Sequence, residues 1–188
     1  TSDQGFYLGE HGWFDKRWMY EPSFRMPFMI KYPQKIKAGT HNKELLLNID
    51  FAPTLLDLAG VSIPKDIQGE SFKKQLYGKR YKGRDAVYYH YYEYPFWHKV
   101  QPHYGVSTGK YKLIHYYYDM DEWELFDLEN DKNEMQNLYG KPGYEKITFT
   151  LKQKIKSLQK QYKDDMSLDE MRAMTDMVVK RVYSERNN

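Results

Sequence analysis

Apolar residues recur at Tyr144, Ile147, Leu151, Ile155, Leu158 and Tyr162, alternating steps of three and four. That spacing predicts an amphipathic helix with one stripe against a core. Ser167 and Glu170 bracket a capping box for a second helix, along which Leu168, Met171, Met174, Val178 and Val182 form a stripe. Ahead of these helices the period changes. Residues 86–92, 104–108, 111–118 and 123–127 are tyrosine- and β-branched-rich runs separated by turn residues such as Gly109-Lys110, which predicts a four-stranded antiparallel sheet. Further upstream, an apolar run at 27–33 is bracketed by Pro27 and Pro33 and predicts a short buried strand; Leu45-Leu46-Leu47-Asn48 predicts another extended piece. Asp50 then caps a helix running through Ala59. Pro53 sits in its first turn, Gly60 supplies the stop, and Ile49, Ala52, Leu56 and Ala59 share a face. Residues 62–85 predict a surface loop. Strands and helix in this order suit an α/β fold.

Residues 5–25 break both periods. Gly5, Gly9 and Gly12 punctuate a stretch rich in Trp13, Phe14, Trp18 and Tyr20, and flexible linkers are not built from such side chains. This predicts an ordered, functional loop. Thr1-Ser2-Asp3-Gln4-Gly5 has no basic or apolar leader pattern. It reads as the end of a parallel strand turning toward a site at its carboxyl end, and hence as part of a longer protein. Composition narrows the classes. With 40% hydrophobic and 17% aromatic residues the chain is not disordered. The absence of cysteine excludes disulfides, thiolate metal sites and a cysteine nucleophile within these 188 residues. A net charge of +3, concentrated in residues 141–188, is too small to predict a nucleic-acid partner. No apolar stretch reaches the ~20 residues that a membrane span needs.

The candidate chemistry lies between Asp3 and Arg25. Asp3 and Gln4 place a carboxylate and an amide carbonyl side by side on a turn, oxygen donors of the kind hard cations take, although Ca²⁺ wants about 6–8 of them. His11, Lys16 and Arg17 add cationic groups that can hold an anion. Other motif tests fail. Asp127, Glu129 and Asp131 have EF-hand spacing, but Lys132 replaces the glycine and Leu138 the bidentate Glu, so this cluster reads as a solvated turn. The histidines lack zinc-helix spacing. The tyrosines of 88–94 and 116–118 could stack on sugars, but on a half-buried sheet they read first as core.

Several motifs together resemble the C-terminal half of a type I, formylglycine-dependent sulfatase of the alkaline-phosphatase superfamily. They are Thr1-Ser2-Asp3-Gln4-Gly5, Leu8-Gly9-Glu10-His11-Gly12, Asp15-Lys16-Arg17, Tyr20-Glu21 through Arg25-Met26-Pro27, residues 48–60, Gly109-Lys110-Tyr111-Lys112-Leu113-Ile114, and Glu124-Leu125-Phe126-Asp127-Leu128 with Asn137-Leu138. They cover about residues 1–165 in the family's order. The Asp3-Gln4 pair and residues 13–17 are most similar to bacterial members acting on 6-sulfated glucosamine-type sugars. The resemblance implies the C-terminal part of an alkaline-phosphatase-like α/β sheet domain (residues 1–85), a small antiparallel sheet packed by a helix (86–166), and a helical tail (167–188). It implies that Asp3 and Gln4 help hold Ca²⁺, that Lys16 contacts the sulfate, and that His11, Asp15, Arg17 and His103 are candidates for catalytic or sugar contacts. A sulfated carbohydrate is the implied partner and an extracytoplasmic site the implied location.

The departures from the family matter as much. The family's nucleophile is a Cys or Ser in a Cys/Ser-x-Pro-x-Arg motif, oxidised to formylglycine. This chain has no Cys, and Pro22-Ser23-Phe24-Arg25 puts the serine after its proline. The chain alone is therefore expected to be inactive, and apolar surface near residues 28–30 and 45–49 predicts either self-association that covers it or a fragment of a larger assembly. Two alternatives stay open: a non-catalytic carbohydrate-binding module using Tyr91 or Trp97, and a phosphodiesterase or phosphatase of the same superfamily.

Overall fold

The computed structural model describes residues 1–79, 81–96 and 98–186. In chain order its elements are β1 (Tyr7–Leu8), β2 (Phe14–Asp15), α1 (Glu21–Phe24), α2 (Phe51–Leu58), α3 (Lys73–Leu76), β3 (Val87–Tyr91), β4 (His103–Ser107), β5 (Tyr111–Tyr116), β6 (Glu122–Asp127), α4 (Glu145–Tyr162) and α5 (Leu168–Arg186). Short 3₁₀ turns occupy Glu10–Gly12 and Asn48–Asp50. These elements form two units. One comprises Thr1–Asp3 with Pro27–Val87; the other comprises Gln4–Met26 with the chain from Tyr88 onward.

The larger unit is built on the four-stranded antiparallel sheet that the sequence pattern predicts, in the order β3-β4-β5-β6. Gly105 faces Ile114 across β4 and β5, and Ile114 faces Glu124 across β5 and β6. Both faces of β5 are buried: Leu113, Ile114 and Lys112 are each 0% exposed. Alternation explains this, since successive side chains point to opposite faces. Ile114 and Tyr116 join Tyr7, Trp18, Met19, Tyr91 and Phe126 in a core cluster on the face covered by the N-terminal loop. The opposite face carries α4, whose Leu151, Ile155 and Leu158 are buried as the helical spacing predicts. From α4, Lys152 Nζ lies 4.0 Å from the Trp123 ring centre. Gly105 is needed at the loop-covered face: a Cβ there would fall 2.6 Å from Met19 Sδ and 2.5 Å from the Leu113 carbonyl. The Ser167–Glu170 capping box opens α5, with the Ser167 N–H donating to Glu170 Oε2 at 2.7 Å. Arg172 then ties the helix to the Tyr117 carbonyl at 2.8 Å.

In the smaller unit, Phe28, Phe51 and Phe72 pack as an aromatic trio with centroids 5.1 to 6.1 Å apart. Asp50 is buried and takes the backbone N–H groups of Leu47 (2.7 Å) and Glu70 (2.9 Å) while pairing with Arg84. Three expectations are corrected here. Residues 27–33 form no strand, because a strand needs a hydrogen-bonded neighbour and none pairs with them among the described residues; the expected extended piece at 45–48 is extended at Leu47 and gives way to the 3₁₀ turn at Asn48. Only Phe28 of the first run packs; Met29 stays 86% exposed. The buried residues of α2 are Pro53 and Thr54, because Thr54 Oγ1 both donates to the Asp50 carbonyl (2.6 Å) and accepts the Phe72 N–H (3.0 Å). In the larger unit, Asp127 is buried rather than solvated, since its carboxylate closes a turn on the N–H of Glu129 at 3.1 Å.

Candidate active site

The loop from Gln4 to Arg25 has an enforced path. Gly5 donates to the Ser23 carbonyl at 2.8 Å, and a Cβ at Gly5 would lie 2.0 Å from the Pro22 carbonyl oxygen, so no other residue fits. β1 and β2 then pair antiparallel, Tyr7 opposite Asp15 and Leu8 opposite Phe14. Tyr7 turns inward and donates to the Trp18 carbonyl at 3.2 Å. Three non-glycine residues of this loop hold positive φ: His11 at 57°, Asp15 at 94° and Arg17 at 144°. Such conformations cost on the order of 1–3 kcal/mol each and persist where surroundings enforce them. The enforcement is visible. The Arg17 N–H donates to Ser23 Oγ at 3.1 Å, and its carbonyl accepts the Tyr89 hydroxyl at 2.6 Å.

This backbone sets side chains of opposite charge against each other. Asp15 Oδ1 accepts Arg17 Nη1 at 2.9 Å, and Asp15 Oδ2 lies 2.6 Å from His98 Nδ1. Arg17 Nε is also 3.6 Å from Glu93 Oε2. Each of these four is partly exposed, with Lys16, itself half-buried, between Asp15 and Arg17 in the chain. Fixed cationic donors beside fixed carboxylate acceptors can bind a ligand that is both anionic and hydroxyl-bearing.

Gln4 is half-buried. Burial, opposed by the Gln4 side chain and the Arg17 charge, pushes the Tyr89 phenol up to about 12, so it remains a neutral hydroxyl. Asp3 is exposed, and its carbonyl accepts Asn48 Nδ2 at 3.4 Å. Asp3 and Gln4 are hard oxygen donors, which fits Ca²⁺ in kind. They do not complete a coordination sphere: among the described residues no three His, Cys, Asp or Glu side chains gather as a metal-binding group.

The two remaining candidates are packed. His11 stacks on Tyr20 with centroids 4.6 Å apart, and burial lowers its pKa. His103 is fully buried among Trp18, Tyr89, Tyr91 and Tyr116. Its Nδ1 donates to the Gln101 carbonyl at 2.7 Å, and desolvation drops its pKa to about 4. Neither ring belongs to the charged cluster around Asp15. That cluster includes His98 and Glu93, which no motif in the sequence marks; Tyr89 carries no signal beyond its place in a tyrosine-rich strand. Trp97 lies outside the described residues, and Tyr91 is buried, donating to the Glu93 carbonyl at 3.3 Å.

The model of the N-sulphoglucosamine sulphohydrolase C-terminal family matches residues 9–161. The chain belongs to this sulfatase family. Over 168 residues the sulfatase chain is 54% identical to an N-acetylglucosamine-6-O-sulfatase of Bacteroides thetaiotaomicron, covering 88% of this chain and 30% of that protein. It is 36% identical to an arylsulfatase of Clostridium perfringens over 85% of this chain and 33% of the other. A solved structure in complex with its substrate D-glucosamine-2-N,6-O-disulfate superposes with a TM-score of 0.84 at 54% identity, covering 87% of this chain and 34% of that one. A phosphonate monoester hydrolase of Agrobacterium radiobacter shares the fold, with a TM-score of 0.72 at 21% identity over 85% of this chain and 34% of the other. The chain thus spans about a third of the length of the relatives it matches. No described helix is long and apolar enough to cross a membrane.

Proposed function

We propose that this chain supplies the C-terminal part of a sulfatase that hydrolyses 6-sulfate esters of glucosamine-type sugars outside the cytoplasm. The observation that carries the reading is the cluster Asp15, Arg17, His98 and Glu93, with Lys16 between Asp15 and Arg17 in the chain, in a protein 54% identical to a glucosamine-6-O-sulfatase. Asp15 offers acceptors and Arg17 and His98 offer donors to sugar hydroxyls, which orients the ring. The Lys16 ammonium would contact sulfate oxygens, where sulfuryl transfer redistributes negative charge and a fixed cation lowers the barrier. Asp3 and Gln4 would contribute two oxygen ligands to Ca²⁺, which when bound polarises the sulfate. The formylglycine nucleophile and the remaining ligands would come from sequence other than these residues. In this reading the packed His11 and His103 hold the loop and sheet rather than touching the sugar.

The test compares substrates on the full-length protein. N-acetylglucosamine-6-sulfate should be desulfated, the 4-sulfate isomer and aryl phosphates should be turned over far more slowly, and the isolated 188-residue chain should be silent. Preference for a phosphate ester would move the protein to the phosphatase reading, and sugar binding without turnover to the binding-module reading.

A further inference from the structure

Helix α5 starts at Leu168, beyond the residues 9–161 that the family model matches. It gives little to the core. Among its described side chains only Met171 and Thr175 are buried, while Met174 and Met177 are 46% and 66% exposed. Its polar anchors converge instead on one short turn, Tyr117–Asp121, between β5 and β6. Arg172 Nη2 lies 2.7 Å from Asp121 Oδ2, and its Nε donates to the Tyr117 carbonyl at 2.8 Å. One helical turn on, Asp176 Oδ1 accepts the Tyr118 hydroxyl at 2.6 Å. Residues four apart share a helix face, so Arg172 and Asp176 act on the turn together.

The same turn holds the segment after β3. The Tyr118 ring lies 5.6 Å from the Tyr94 ring, and Asp119 Oδ2 accepts the Tyr94 hydroxyl at 3.2 Å. Tyr94 adjoins Glu93, whose carboxylate is 3.6 Å from Arg17 Nε. The core supplies one hold on Glu93, the Tyr91 hydroxyl on its carbonyl at 3.3 Å, and the turn supplies a second.

We infer that α5 is a positioning element for the sugar site: through Tyr118 and Tyr94 it fixes Glu93 against Arg17, and so sets the affinity for the sulfated sugar. The inference rests on the reading of Asp15, Arg17, Glu93 and His98 as the groups that take the sugar. A guanidinium is a planar fork, and carboxylates beside it, here Asp15 and Glu93, keep that fork in one orientation. If Glu93 drifts, Arg17 is left to Asp15 alone and the donors it presents lose direction. The Asp176–Tyr118 bond is solvent-exposed and adds little to folding, so its loss should show in the site before it shows in stability.

The experiment uses the full-length protein with Asp176→Ala, with Tyr118→Phe, which keeps the ring beside Tyr94, and with Glu93→Ala. Asp176→Ala and Tyr118→Phe should each raise KM for N-acetylglucosamine-6-sulfate about 5-fold, within the range over which residues remote from a ligand alter its binding. Their kcat, and their KM for a small aryl sulfate, should stay within about 2-fold of the parent. In the Glu93→Ala background Asp176→Ala should add less than about 2-fold, since the route is already cut. Unchanged KM in both single variants, or the full loss again in the Glu93→Ala background, overturns the inference. A readout independent of any substrate separates it from failure of the sugar reading. Hydrogen exchange across residues 91–96 should be faster in Asp176→Ala than in the parent; unchanged exchange refutes the positioning role. Glu93→Ala with undiminished sugar affinity refutes only the sugar reading.

Discussion

The carboxylate of Asp15 lies 2.6 Å from the imidazole Nδ1 of His98, joining the end of β2 to the segment after β3. If the pair orients the sugar, Asp15→Asn and His98→Ala in the full-length protein should each lower kcat/KM for the sulfated sugar by about 10- to 100-fold, the worth of a charge-assisted hydrogen bond. A small aryl sulfate, which has no sugar hydroxyls, should lose less than about 3-fold. Equal losses on both substrates would mean that the pair holds the loop rather than the sugar.

Lys16 should behave differently. If its ammonium contacts the transferring group as proposed, Lys16→Ala should lower kcat by about 10²- to 10³-fold on sugar and aryl sulfates alike. Its thermal midpoint should stay within a degree or two of the parent's, because the residue is only half-buried. Retained kcat sinks the assignment.

His103 gives the molecule a pH-dependent stability. Its pKa falls from 6.5 to about 4 in the folded protein, chiefly by desolvation. The unfolded chain therefore binds the proton more readily than the folded one. The stabilising contribution is fully present above pH about 6.5 and is lost as pH falls toward 4, amounting to roughly 3 kcal/mol. Denaturant unfolding followed from pH 7 to 4 should show this slope. His103→Phe, which keeps an aromatic ring in the stack, should flatten it, and an unchanged slope in the variant would assign the effect elsewhere.

Lys112 is fully buried, with Nζ 2.8 Å from Glu21 Oε1 and 2.7 Å from Glu134 Oε1. Burial raises the Glu134 pKa, while the lysine charge and the Glu21 N–H hold it down. Removing the cation alone leaves the buried Glu134 carboxylate unpaired beside the partly exposed Glu21, so Lys112→Met should cost about 3–5 kcal/mol of unfolding free energy. Adding Glu134→Gln should recover at least about half of that loss. A double variant no more stable than the single one would show that packing, not charge, is at stake.

The antiparallel sheet, α4 and the capped start of α5 were legible because their signals are local: a period, a turn dipeptide, a capping box. Residues 27–33 misled because an apolar run reports a wish to be buried and says nothing about which neighbour will supply its hydrogen bonds. Asp15, Lys16 and Arg17 could be singled out from their motif, and Gln4 from its resemblance to a metal-binding turn. His98, Glu93 and Tyr89 could not, because they reach the site through tertiary folding and carry no spacing of their own. His103 looked chemical by type, yet the packed rings of Trp18 and Tyr91 make it part of the interior.

The interleaved chain path has a consequence for biosynthesis. Gln4–Met26 belongs with residues made only after Pro27–Val87 has been completed. Tyr89, which fixes the loop backbone, lies 72 residues downstream of Arg17, and Glu134, which closes on the Glu21 N–H, lies 113 downstream of it. As the ribosome elongates the chain, the loop from Gln4 to Arg25 emerges early and must wait for the bonds that β3 and Glu134 supply. Truncation, stalling or a slow codon in that interval should leave the loop as a protease-sensitive tether, long after its own sequence is complete.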